Sequence, residues 1–434
     1  MYRLTVTFLL VLLSVSGAAK TGHALTLEEG LGIIASEGWE VKIAQMREAA
    51  AEHTVSLSRS ELLPEVDLYA NQTWLAYQPE ANFGIGAQAP IADKASLSYG
   101  FMVRQLIYDF GKTGSSVDAA RLSAQAKSLN TSLVRNLAVR DFLLTFITLL
   151  ESERLLAVAE EEVRQFDAHL SDTKEMHSEG LVTLSDVLQA EVLASDARQR
   201  KVSARNNRAL LAARINTLLL RPLTSEVRVE GGGLPEIVLD TDMDSAWKAA
   251  VNFRVELQEI RSRIEAKDAR VKSLRGEAYP RLYLNGGYDY TENQYMVHEE
   301  NWNLTAGLTM NIYSGGGTKA EASRASAELS SLLLEEARMR DSIRLEIENS
   351  VLLLQSAQER FDVSQKGIEQ ARENLRLQNL KYEEGETAAT NVQDAVTLLA
   401  QAEQNYWMAL YGVQKGKALV LYSQGRDLVA EYSQ

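Results

Sequence analysis

From Asn301 to Ile312 the chain alternates. Trp302, Leu304, Ala306, Leu308, Met310 and Ile312 are apolar, while Asn301, Asn303, Thr305, Gly307, Thr309 and Asn311 between them are polar or small. Val66, Leu68, Ala70 and Trp74 stand in the same way against Glu65, Asp67, Tyr69, Asn71 and Thr73. Ala95, Leu97, Tyr99, Phe101 and Val103 likewise oppose Ser96, Ser98, Gly100, Met102 and Arg104. A period of two with one apolar and one polar face predicts half-buried β-strands. Alternation alone leaves two readings open, a soluble antiparallel sheet covering a protein core and strands of a membrane barrel. The aromatic residues Trp74, Tyr77, Tyr288 and Tyr290 suit an interfacial girdle or a core equally.

Elsewhere the period changes. Between Lys112 and Glu179 there is no proline, and Leu133, Leu137, Leu144, Ile147, Leu155 and Val158 fall near multiples of 3.6. Ile343, Ile347, Val351, Leu354, Phe361, Ile368 and Leu375 follow the same rule. The pattern predicts two helices of ~60 residues, about 90 Å long at about 1.5 Å per residue. Each turns at a glycine, Gly180 or Gly385, and returns through a shorter helix.

These elements occur twice. Placing Gly111 on Gly316, a shift of 205 residues, sets "IYDFG" over "IYSGG" and "MHSEGLVTLSDVLQA" over "KYEEGETAATNVQDA". Upstream, "LLPEVDLYA" from Leu62 lies over "AYPRLYLNG" from Ala278, a shift of 216. The first copy therefore carries about eleven extra residues, matching its Gly/Pro/Asn-rich stretch Tyr77 to Lys94. We divide the chain into residues 25–232 and 233–434. The first holds a leading helix, strands at about 62–77 and 95–108, a long helix at about 113–179 and a return helix at about 184–220. The second holds a helix, strands at about 279–290 and 301–313, a long helix at about 318–383 and a return helix at about 390–424.

The first residues add a compartment. Arg3 precedes the apolar run Leu4 to Val15, and Gly22 and Ala24 give a small-residue cleavage site, so residues 1–24 read as a secretory signal. There is no cysteine, so packing rather than disulfides must stabilise an exported chain, and no N-terminal cysteine carries a lipid. The net charge of −14 falls two units lower without Arg3 and Lys20, which argues against a nucleic-acid partner. No later run is apolar enough for a membrane helix, but alternating strands escape a hydropathy scan. Four strands cannot close a membrane barrel, since single-chain barrels start at about eight. Several chains would have to pool them, because an open edge in lipid leaves backbone groups unpaired.

The doubled layout, Pro64 and Pro280 before the strands, the "QLIYDFG" and "MNIYSGGG" strand exits, and the "EGLVTLSDVLQA" and "YEEGETAATNVQDA" turns resemble TolC-type outer membrane efflux proteins. The resemblance covers nearly the whole chain after residue 24. It implies a mainly α fold with a β-barrel portion, in which four membrane strands join internally duplicated helical hairpins. Three chains would pool a twelve-stranded barrel in the outer membrane of a Gram-negative cell and a twelve-helix barrel in the periplasm. The implied partners are two further copies of the chain, a periplasmic adaptor (membrane fusion protein), an inner-membrane transporter and outer membrane lipid. The implied role is the exit duct of a tripartite efflux or type I secretion system.

The resemblance also carries site residues. The aperture at the periplasmic end is matched by Ser185, Asp186 and Tyr382, by Asn391 and Asp394 where the family has two aspartates, and by Thr387 where it has an arginine. One carboxylate ring in place of two implies weaker cation selectivity, and the missing guanidinium removes a bidentate partner for a carboxylate. Gly180, Leu181, Gly385 and Glu386 match the tips that meet the adaptor, although glycine ends helices in any protein.

Enzyme readings find little. His53, His169, His177 and His298 have no metal-ligand spacing and read as solvated, and no Gly-x-Ser-x-Gly occurs. Neither a catalytic site nor a cofactor or metal site is expected. "YDFGKTGSS" (Tyr108 to Ser116) combines a kinase-like triplet with the end of a phosphate loop, but such a loop needs glycine where Leu106 stands. It reads as the hinge from strand to helix. The rival reading is a non-channel periplasmic or surface coiled-coil scaffold or adhesin, which explains the helices but not the strand pairs.

Overall fold

The computed structural model describes residues 25–84, 86, 88–227 and 234–433; the secretory signal read at 1–24 lies outside the described residues. The chain begins with α1 (Leu27–Glu37) and α2 (Trp39–Ser60), followed by β1 (Glu65–Trp74), the short β2 (Glu80–Asn82) and β3 (Gln88–Pro90), and β4 (Ala95–Tyr108). The long α3 (Lys112–Ser178) and its return α4 (Leu184–Leu218) come next. Then α5 (Met243–Phe253), α6 (Val255–Gly276), β5 (Arg281–Thr291) and β6 (Glu300–Thr309) lead into α7 (Gly317–Glu383), α8 (Ala389–Ser423) and α9 (Leu428–Tyr432).

A shift of 205 carries α3 onto α7 and α4 onto α8 end for end, and a shift of 216 does the same for α1 on α5 and α2 on α6. At 67 residues each, α3 and α7 run about 100 Å. Both begin at a left-handed glycine, Gly111 and Gly316, each with φ 85°. Just before it, a side chain caps the helix. Asp109 Oδ2 accepts from Thr113 N at 2.7 Å, and Ser314 Oγ, at the equivalent position, accepts from Thr318 N at 3.3 Å. "YDFGKTGSS" is thus a helix start, and Lys112 in it pairs with Glu277 at 2.8 Å.

Several expectations are corrected. Each leading helix is two helices, broken at Gly38 and at Arg254, whose backbones leave the helical region. The stretch 77–94 contains the β2–β3 ribbon rather than loop alone. The strand expected to 313 stops at Thr309: in the first repeat the corresponding residues of β4 pair with β5, whereas β6 is an edge strand with no partner there. His169 is buried, not solvated.

The sheet is antiparallel in the order β1-β4-β5-β6, so β4 and β5 join the two repeats and β1 and β6 are left as edges. The four hairpin helices follow one another as α4, α3, α8, α7, with α2 packed on α3 and α6 on both α3 and α7. Midway along, the largest apolar cluster packs Phe142, Leu143 and Phe146 of α3 against Leu31 and Ile34 of α1, Ile215 of α4, Leu421 of α8 and Tyr432 of α9. Buried Arg254 locks the same girth. Its guanidinium reaches Glu256 at 2.8 Å, Glu346 of α7 at 2.8 Å and, at the end of α8, the carbonyls of Tyr422 and Ser423 at 3.4 and 3.3 Å; the Tyr422 carbonyl also accepts from Gly425 N at 2.9 Å.

Candidate functional site

The strand register gives the sheet two chemically distinct faces. Leu68, Phe101, Tyr288 and Trp302 are cross-strand partners in one row, with Phe101–Tyr288 centroids 6.4 Å apart and Tyr288–Trp302 4.9 Å. Tyr99 stacks on Tyr290 at 4.8 Å on the same face. This face is bare: Leu68 is 84%, Trp302 70% and Leu304 76% exposed. Among the described residues no helix covers it, so the sheet does not cap a protein core and Trp74 and Tyr77 are exposed. A contiguous apolar face of this kind is stable only against lipid or another protein.

The opposite face is polar and internally bonded. Tyr69 donates to Asp289, which also accepts from Asn303 Nδ2 at 2.8 Å; Arg104 pairs with Asp67 and, at 3.3 Å, with Glu65. Tyr69 lies across Gly100, where a Cβ would meet its hydroxyl. At the end away from the helices, Asp93 accepts from Gln294 N at 2.8 Å and Gln294 Nε2 at 2.6 Å, tying the β3–β4 connection to the β5–β6 loop.

At the far end of the long helices lie the two turns. Gly180 and Gly385 adopt φ 78° and 73°, and paired backbone bonds close both helices in the same way: Gly180 N to His177 O and Leu181 N to Met176 O, Gly385 N to Tyr382 O and Glu386 N to Lys381 O. Leu181 and Glu386 are exposed, so one tip is apolar and the other, with Glu383 and Glu384, acidic.

The aperture candidates are engaged separately. Asp186 closes a capping box with Thr183: its carboxylate accepts from Thr183 N at 2.8 Å and Oγ1 at 2.7 Å. Those bonds, from the hydroxyl first and then the backbone, hold the Asp186 carboxyl below its usual range, and His177 adds to the effect. Ser185 is exposed beside it. Tyr382 reaches Met176 Sδ at 3.2 Å rather than Asp186. Thr387 accepts from Asn391 Nδ2 at 2.7 Å, and Asn391 and Asp394 are exposed on one face of α8.

Sequence reasoning missed a buried cluster just above the tips. His169 of α3 meets Gln393 of α8 at 3.2 Å, Gln393 accepts from Gln189 of α4 at 3.2 Å, and the Tyr382 ring of α7 lies 5.6 Å from the imidazole. Below it in burial is an apolar patch of Phe166, Ala194, Leu375 and Val396. The local signal was the spacing Phe166, His169, Thr173, all on one buried stripe. Among the described residues no helix is long and apolar enough to cross a membrane, and no group of His, Cys, Asp or Glu side chains is arranged to hold a metal ion.

The profile of the outer membrane efflux protein family matches residues 38–219 and 248–418. Nodulation protein T of Rhizobium leguminosarum bv. trifolii is 22% identical, over 89% of this chain and 83% of its own length. Two solved channels share the fold: the CmeC outer membrane channel of Campylobacter jejuni, 14% identical over 92% of this chain and 85% of its own with a TM-score of 0.83, and the open state of the MtrE outer membrane channel of Neisseria gonorrhoeae, 17% identical over 92% and 89% with a TM-score of 0.75.

Proposed function

The chain belongs to the outer membrane efflux protein family, and from that premise we propose that three copies form the exit duct of a tripartite efflux or type I secretion system. In this reading the duct carries solutes passively from an inner-membrane transporter, coupled through a periplasmic adaptor, across the outer membrane. The observation that carries it is the sheet: one bare apolar face, one polar face, and two unpaired edges, β1 and β6. Lipid tolerates the first only if the third is closed, since each orphan backbone group there costs several kcal/mol. Pairing β1 of one copy with β6 of the next closes a twelve-stranded barrel, turns the apolar rows to the membrane and encloses Tyr69, Asp289 and Arg104 in water. The helix row, ending in α4 and α7, closes by the same operation into the periplasmic barrel.

The channel's selectivity would then be set at its narrow end. Asp394, exposed on α8, contributes one ring of three carboxylates, and Asn391 one turn earlier contributes dipoles instead of charge. Fields of like charges add in a narrow, poorly screened opening, so one ring favours cations less than two. The tips at Gly180, Leu181, Gly385 and Glu386 offer the adaptor an alternation of apolar and acidic ends. A coiled-coil scaffold or adhesin has no use for the bare sheet. The experiment is extraction from outer membranes: a heat-modifiable trimer that conducts in planar bilayers supports the duct, and a soluble periplasmic monomer sinks it.

A further inference from the structure

His169 sits where all four tunnel helices meet, 6% exposed. From α3 it contacts Gln393 of α8 at 3.2 Å; Gln393 Oε1 accepts from Gln189 Nε2 of α4 at 3.2 Å; Tyr382 of α7 completes the set at 5.6 Å between ring centroids. We propose that His169 is the positioning residue that holds the helices together above the aperture, through Gln393 and Gln189, and that acid releases it. The proposal rests on the duct reading and adds a regulatory input to the same opening.

The hydrogen-bond directions give the reason. With its oxygen committed to Gln189, Gln393 turns its amide N–H to the imidazole, and a ring nitrogen can accept that bond only when unprotonated. A proton there sets donor against donor and places a charge in a site with little water; turning both amides relieves the first conflict but not the second. Of the ionisable groups on the surrounding helices, Asp172 is the one that acts on the ring by charge. Asp172 on α3 favours the protonated ring, Tyr382 stands on α7, Asp394 on α8 is exposed, and the Lys174–Glu191 pair at 2.8 Å ties α3 to α4. Burial outweighs Asp172 and holds the imidazole below its ordinary value.

The sign follows from linkage. Helices that part return the ring to water and to an ordinary value of about 6.5, so the parted state binds the proton more tightly. The closed arrangement is fully favoured above that value and weakens as pH falls toward the depressed one. Each unit of separation shifts the open-to-closed ratio by a factor of about ten at most. His177 is the natural control, since it is exposed at the tip, where its Nδ1 lies 2.9 Å from Val182 O.

Single-channel recording between pH 7.5 and 5.5, above the carboxylate range, is the first test. Wild type and His177→Gln should open progressively on acidification, whereas His169→Gln, which keeps a polar side chain but cannot charge, should be flat. A His169→Gln channel that responds like wild type, or a wild type without response, overturns the proposal. Histidine C2-hydrogen exchange read by mass spectrometry on the unmodified protein decides the matter if the variant fails to assemble: His169 must titrate below the ordinary histidine value of about 6.5, and titration at or above it overturns the proposal. A wild type that forms no channel at any pH defeats the duct reading itself.

Discussion

Leu304 and Thr305 are adjacent on β6 and face opposite ways. Leu304 lies opposite Gly286, on the side of Tyr288 and Trp302; Thr305 lies opposite Asn285, on the side of Asp289 and Asn303. Both sit in the middle of the strand, so in a closed barrel one meets the centre of the bilayer and the other the water-filled bore. Arginine at a lipid-facing midplane position costs about 2–4 kcal/mol per chain, or roughly 6–12 kcal/mol across three copies. The same residue facing water costs about 0.5 kcal/mol or less. Leu304→Arg should therefore abolish the folded trimer recovered from outer membranes, and Thr305→Arg should leave it near wild-type yield. Urea unfolding in liposomes gives the difference per chain. Equal yields, or a Thr305→Arg variant worse than Leu304→Arg, would refute the assignment of the faces.

Four further outcomes follow from the remaining geometry. Arg254→Ala leaves Glu256, Glu346 and the Ser423 carbonyl without their guanidinium donor, and breaking a buried pair from one side costs about 3–5 kcal/mol; thermal unfolding should show a clear drop, with Arg254→Lys intermediate. At the proposed aperture Asn391→Asp adds a second acidic position beside Asp394, so the cation-to-anion permeability ratio from reversal potentials in a salt gradient should rise. Thr183→Ala removes the cap of α4 at a cost of about 1 kcal/mol, and Asp186→Ala should raise single-channel conductance. Because Asp186 is held below the usual carboxylate range, its share of this cap is complete above about pH 4 and is lost as pH falls through the lowered value; unchanged conductance in Asp186→Ala counts against a role in closure.

Much of this fold is legible in the chain itself, because its largest features are periodic. The two shifts reproduce the helix bounds to the residue, for example Lys112–Ser178 against Gly317–Glu383. The alternation around Trp302 identifies the apolar face that the register then displays. What alternation cannot reveal is whether something covers that face; only the arrangement of α1 to α9 answers that. The capping partner of Asp186 is also legible, since Thr183 stands three residues before it as a capping box requires. His169 was out of reach. Its partner Gln393 lies in the other repeat, and the second repeat has Asn374 where the first has His169, so self-comparison gives no hint of a shared cluster.

The central claim, that copies of this chain close one barrel by pairing β1 with β6, can be tested directly because the chain has no cysteine of its own. One cysteine replacing Asn71 on β1 is combined in turn with single replacements along 300–309 on β6, and the protein is oxidised in outer membranes. The account predicts that one register yields covalent dimers and trimers in denaturing gels while its neighbours do not; bands of single-chain size at every register would contradict it.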